Sequence, residues 1–147
     1  MREIFQNLSD RLMTVDGIKW VDLDTGQLDY YAQRPAVAFP AILVKIGYPQ
    51  CRDVSGSAQL VHATIRLRVV FTPMGETYSA AAEDVKARAL SIFDALEDVH
   101  RALQGWTGEG LFSQLSRQSV VAEDRRDGYA VYAVTYGTTA TDEALYS

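Results

Sequence analysis

Val61 to Phe71 carries a two-residue period over eleven positions, and this constrains the fold more than any other feature. Val61, Ala63, Ile65, Leu67, Val69 and Phe71 fall on one side of an extended chain, and His62, Thr64, Arg66 and Arg68 on the other. Such a segment is a strand with one face on a core and the other toward water or a partner. The chain must therefore build a sheet and supply something apolar to cover it.

The cover is legible as two helices. Ile4, Phe5, Leu8, Leu12 and Val15 recur at spacings of three and four, which predicts a short helix from Arg2 to Thr14 stopped by Asp16-Gly17. Val85, Ala89, Ile92, Leu96, Val99 and Leu103 form a second stripe with Phe93 beside it. They predict a long helix from Ser79 to Gln104, capped by Thr77 or Ser79 and ended by Gly105. At 1.5 Å per residue it would run nearly ~40 Å, enough to lie across a sheet.

The remaining strands follow from alternation and turn residues. Ile18 to Leu23 reads as a short strand, and Asp24 to Arg34 as a polar connection. Ala41 to Ile46 is a strand whose start, bracketed by Pro35 and Pro40, is expected at an edge or a bulge. Gly47 to Gly56 is expected to be a loop. Leu111 to Ala122 and Tyr129 to Thr138 are two further strands joined by the turn Glu123–Gly128, with Asp127-Gly128 as the hairpin signal. Tyr129–Thr138 is apolar on both faces and is expected to be central, whereas Thr139 to Ser147 reads as a short polar tail. The predicted class is α+β: a mostly antiparallel mixed sheet packed by one long helix and a short N-terminal helix. It forms a single domain over residues 1–147, with no repeat and no linker.

Composition narrows the function. Hydrophobic residues at 48% and charged residues at 22% match an ordinary globular chain that folds without disulfides or metal. The net charge of −5 and a pI near 4.9 argue against a broad nucleic-acid surface, since the largest basic cluster, Arg125-Arg126, sits among Glu123, Asp124 and Asp127. No sequence-specific nucleic acid is expected as a partner. The longest apolar run, Ala36 to Val44, contains Pro40 and is far short of the roughly 20 residues a bilayer span needs, so no membrane is expected either. Met1–Phe5 lacks the apolar core of a signal peptide, which points to the cytoplasm or a particle assembled there.

Catalytic patterns are missing. His62 and His100 have no ligand partner at zinc spacing, and Cys51, the single cysteine, has no nearby His to make it a thiolate. Gly105, Gly108 and Gly110 follow a helix and precede a strand, the reverse of a phosphate cradle. The pairs Asp22-Asp24 and Glu97-Asp98 read as solvated surface rather than as an acid and base with separated pKa values. The expectation is a chain that is not an enzyme, with no catalytic, cofactor-binding or metal-binding residues. Interface residues are the sharper expectation. Tyr30, Tyr31 and Tyr48 lie in or beside loops, where tyrosine often serves contacts between proteins. The polar face His62, Arg66 and Arg68 and the charged tip Glu123, Asp124, Arg125, Arg126 and Asp127 complete that set.

The helix Ser79–Gln104, followed by Phe112-Ser-Gln-Leu-Ser-Arg117 and by Asp127-Gly128-Tyr129-Ala-Val-Tyr132-Ala-Val-Thr135-Tyr136, resembles the C-terminal half of the tail-terminator (tail-completion) proteins of long-tailed bacteriophages. The likeness in element order covers roughly residues 1–140, and that in residues only Phe112–Tyr136. It implies a homo-oligomeric ring of six copies seated on the tail-tube protein and presenting a surface to the head–tail connector protein. It also implies a virion component assembled in the bacterial host cytoplasm. Such a ring needs heterologous contacts that close. An acidic lumen would let DNA pass without adhering. The alternatives are another head–tail adaptor or tube component and, from a different class, a small α+β ligand-binding domain with a pocket between helix and sheet.

Overall fold

The computed structural model describes residues 1–29, 38–72 and 82–143. Two helices and five strands follow in the order α1 (Arg2–Met13), β1 (Trp20–Leu23), β2 (Ala41–Ser55), β3 (Ala58–Phe71), α2 (Ala82–Leu103), β4 (Ser116–Ala122) and β5 (Ala130–Glu143). The strands make one sheet in the order β1-β2-β3-β5-β4. Only β1 and β2 run parallel; the other three pairings are antiparallel. This is the mixed α+β arrangement the alternation predicts, and β5 is an interior strand, as its two apolar faces require.

Strand β3 is the axis of the core. Val61, Ile65, Leu67, Val69 and Phe71 join Ile42 and Val44 of β2 and Val134, Tyr136 and Ala140 of β5 on one face. Ile4, Leu8 and Leu12 of α1 and Val99 and Leu103 of α2 cover them. Each fully buried Leu contributes about 2 kcal/mol by leaving water. Helix α1 is also tied to what surrounds it: Asn7 Nδ2 donates to the Gly108 carbonyl at 3.1 Å, and Arg11 Nε to the Ala102 carbonyl at 2.9 Å. The Arg11 guanidinium lies 5.4 Å over the Trp106 ring.

Several expectations need correction. Gly47 to Gly56 is not a loop: β2 continues to Ser55 and turns back through Gly56-Ser57 alone. The polar side chains there hide a strand held by backbone pairing, with Gln50, Cys51 and Arg52 opposite His62, Val61 and Leu60. Pro49 is absorbed in the register shift between Gly47 and Gln50. The start of β2 is not at an edge, since Ala41–Val44 pair with β1 on one side and β3 on the other; Pro40 simply precedes the strand. Residues Thr139–Glu143 are not a tail, because β5 runs on to pair with Ala58–His62. The result is a three-stranded finger, β2-β3-β5, standing beyond the helices.

Two further boundaries move. Leu111–Leu115 is not strand but part of the connection after α2, where Phe112 and Leu115 turn inward. Gly108 makes that turn possible: its φ is +60°, and a Cβ there would run into the Phe112 ring. The start of the long helix at Ser79, its proposed caps Thr77 and Ser79, and Pro35 lie outside the described residues. Within α2 the apolar stripe is only half used. Val99 and Leu103 are buried, Ile92 and Leu96 are partly buried, and Val85 and Ala89 are exposed. Burial of the stripe thus falls off from the C-terminal half of the helix toward its start.

That asymmetry predicts opposite outcomes for similar substitutions. Leu8→Ala should lower unfolding stability by about 3 kcal/mol, as for other fully buried leucines. Leu90→Ser on the unsupported half should change it by less than about 0.5 kcal/mol. Urea unfolding followed by circular dichroism measures both.

Candidate functional site

On the sheet face away from the helices, β3 places Arg66 and Arg68 in the path of two other segments. Leu28, Ala41, Leu43, Val70 and Val131 form a small second core there, with Phe39 and Tyr129 packed against it. Leu28 comes from the connection after β1, so that connection must fold back across the sheet. Gln27 holds its turn, donating through Nε2 to the Leu23 carbonyl and accepting from the Thr25 N–H.

Arg68 stands at the border of this core and is only 6% exposed, which corrects its expected place on an open polar face. A buried guanidinium must find carboxylates. It donates through Nε and Nη2 to Glu123 at 2.9 and 2.7 Å, and through Nη1 to Asp29 at 2.9 Å, with Asp24 at 3.6 Å. Arg125 closes the cluster from the hairpin tip. It reaches Asp127 at 2.6 Å, Asp29 at 3.0 Å and Glu123 at 3.2 Å, and donates to the Leu28 carbonyl. Two guanidinium groups thus interleave with four carboxylates. The Arg68 hydrogen bonds, helped by those of Arg125, hold the Asp29 and Glu123 carboxyls below their ordinary values.

A cleft of about 490 Å³ opens over the cluster, bordered also by Lys45 and Arg66. Asp24, Asp29 and Glu123 meet Arg68 there in the pairs described. Among the described residues no group of His, Cys, Asp or Glu is arranged to hold a metal ion. Among the described residues, a cleft of about 180 Å³ lies between α2 and the sheet beside Phe39, Phe71 and Arg88. That falls below the ~300 Å³ at which ligand pockets begin.

The remaining expected residues scatter. His62 is exposed on the finger, and Arg66 is half-exposed at 3.7 Å from Glu123. Tyr48 is half-buried against the start of α1 and the end of β5, and burial raises its hydroxyl pKa. Asp124 and Arg126 are exposed at the tip, whereas Arg125 and Glu123 point back into the cluster. Tyr30 and Tyr31 lie outside the described residues. His100 and Tyr136 meet inside the protein, with Nδ1 and the hydroxyl 2.9 Å apart. Burial pushes the Tyr136 pKa up to about 12 and the His100 pKa down.

A second surface was not anticipated from the sequence. Every residue of β4 is exposed, including Val120 at 41% and Val121 at 57%, and β4 is an edge of the sheet. Beside it α2 shows Leu90 at 53% and Phe93 at 52%. The Phe93 ring meets Tyr132 edge-on at 6.3 Å, and Tyr132 is the β5 partner of Ala122. Tyr132 thus lies between exposed Phe93 of the helix and Ala122 at the end of the strand edge. The sequence signal of this surface is the adjacent pair Val120-Val121, which puts one apolar side chain on each face of the strand, together with helix residues outside the core stripe.

No protein-family model and no curated protein sequence matches this chain. No described helix is long and apolar enough to cross a membrane.

The ionic cluster predicts acid sensitivity. Asp29 and Glu123 bind protons less readily folded than unfolded, so their contribution is complete above the unfolded carboxylate range. It is lost as the pH falls through their lowered folded values. Arg68→Met should cost about 3 kcal/mol near pH 7, by leaving partly buried carboxylates unpaired. The same variant should flatten the acid limb of the stability curve. Urea midpoints from pH ~7 down to ~3 test both.

Proposed function

We propose that this protein is a non-enzymatic structural component of a long-tailed phage particle, a tail terminator. Six copies close a ring on the last ring of the tail tube, stop its polymerisation and present the surface to which the head connector joins. The protein is then a virion component assembled in the host cytoplasm, and its partners are its own copies, the tube protein and the connector. The reading starts from the resemblance of Phe112–Tyr136 and of the element order.

The observation that carries it is the set of exposed apolar side chains on β4, Val120 and Val121, and on α2, Leu90 and Phe93. A chain of this size rarely leaves an unblocked strand edge and neighbouring Leu and Phe side chains in water unless another protein covers them. The ionic cluster fits the same reading, because it fastens the β4–β5 hairpin to the connection after β1. The small cleft under α2 speaks against the ligand-binding alternative. The net charge of −5 suits a ring through which DNA slides.

The test is tube assembly. Tail-tube protein polymerised with this chain present should give tubes of limited length, each carrying at one end a ring of six times 16.3 kDa in electron micrographs. Tubes that grow to the same lengths with and without it would rule the terminator role out. Incorporation along the tube wall would identify a tube component instead.

A further inference from the structure

We propose that the cleft between α2 and the sheet is a binding site for one carboxylate on a short apolar stem, held by Arg88. The proposal stands on the cleft alone and does not rest on the tail-terminator reading. The cleft is too small to enclose a whole ligand. It takes the end of an acid, either a small free acid or the acidic side chain of another protein.

Arg88 belongs to α2 and stands half-buried at the cleft. Its Nη2 donates to the carbonyl of Thr72, the residue after β3, and has the Thr72 hydroxyl at 3.4 Å. Its Nε is buried and has no hydrogen-bond partner. Among the described residues Nη1 has no acceptor, and no carboxylate forms an ion pair with this guanidinium. The larger cleft on the opposite face of the sheet is different. There Arg68 meets Asp24, Asp29 and Glu123, and Arg66 lies 3.7 Å from Glu123. The fold supplies counter-charges to those arginines and, among the described residues, none to Arg88. A guanidinium set against apolar walls is costly without one, and the partner that relieves it is an anion.

The walls select which anion. Phe39, Phe71 and Ile92 make the cleft apolar, and Ser91, one turn along the helix from Arg88, adds a hydroxyl at its border. A carboxylate offers two coplanar oxygens, which match the planar donors of a guanidinium. It accepts from Nη1, the donor left without a bond, and its stem lies against the two phenylalanines and Ile92. A second charge on that stem would be left unpaired there. Phosphate fits less well, because it brings about two negative charges and three acceptor oxygens. Arg88 is the one cation among the residues lining the cleft. Size agrees with an end-group as occupant. A cavity of ~150 Å³ holds benzene, and this cleft measures about 180 Å³.

The experiment titrates the full chain, isotope-labelled for NMR, at constant ionic strength. Sodium propionate, the end of a glutamate side chain, should give saturable amide shifts at Thr72, Arg88 and Ser91. Propionamide has the same shape without the charge and should give none. Sodium phosphate should bind less tightly than propionate. Arg88→Gln should weaken propionate binding at least about tenfold, the size expected for losing a charged hydrogen-bond partner, and leave the rest of the spectrum in place. Asp84 lies one turn before Arg88 in α2, and Glu76 lies outside the described residues. Asp84→Asn and Glu76→Gln should each leave the affinity unchanged. Glutamate capped as its N-acetyl α-amide separates the two sources. Binding as tight as that of propionate assigns the site to another protein's side chain, and weaker binding assigns it to a small free acid.

Propionate that produces no saturable shift at those amides would overturn the proposal. Equal shifts with propionamide would do the same, by reducing the site to an apolar cleft. Unchanged affinity in folded Arg88→Gln would remove the arginine from the account, and tighter binding of phosphate would remove the carboxylate. Tighter propionate binding by Asp84→Asn or Glu76→Gln would show that the chain fills the site itself, which also overturns it. The comparison of propionate with propionamide is made on the wild-type chain, so it decides the matter even where Arg88→Gln fails to fold.

Discussion

Strand β3 must bury both of its faces at one end and only one at the other. Toward Phe71, the helix-side residues Val69 and Phe71 and the opposite-side residues Arg68 and Val70 are all inside. Toward Ala58, only the helix-side residues are covered, and His62 and Arg66 reach water. That change along one strand sets the rest of the structure. The helices can cover only one face, so the connection after β1 and the β4–β5 hairpin have to close over the other. They meet around Arg68, whose charge cannot be left alone in a small apolar core. Glu123 and Asp29 supply its partners from opposite sides, and Arg125 ties the two suppliers together. The cluster is therefore a fastening, and its carboxylates are shifted in the direction that keeps it closed near neutral pH.

Much of this fold could be read from residue spacing. The periods of β3, α1 and β5 are strong because each buries at least one continuous face, and burial is what a hydrophobic period reports. What burial does not hold was missed. The far part of β2 is a strand by virtue of backbone pairing with β3, and its Gly, Pro, Gln and Asp residues resemble those of a loop. The final turn of β5 fails for the same reason. Alternation assigned Arg68 to a face but could not say that a segment 39 positions before it and another 55 positions after it would close over that face. The helix stripe likewise told which side of α2 is apolar, not how far the sheet extends beneath it.

The candidate interface was only partly legible. Choosing tyrosines and charged tips favoured residue types common at interfaces, yet Arg68, Glu123 and Arg125 are consumed by the fold and Tyr48 packs against the start of α1. The surface that stands out is apolar and is contributed by two consecutive elements, α2 and β4. Neither is unusual alone. β4 is exposed because it lies outside β5 at the sheet edge, and Leu90 and Phe93 of α2 because they lie outside the helix's buried stripe. A strand edge of this kind offers unpaired backbone groups to another chain.

The claim that unites these observations is that the β4 edge is a contact surface between protein chains. Hydrogen exchange at the outward-pointing amides of Val120 and Ala122 reads it directly, because a paired edge protects its N–H groups and a free edge does not. The account predicts protection that grows when the protein is concentrated by about a hundredfold, with the β3 amides slow throughout. Fast exchange at Val120 and Ala122, identical at both concentrations, would contradict it.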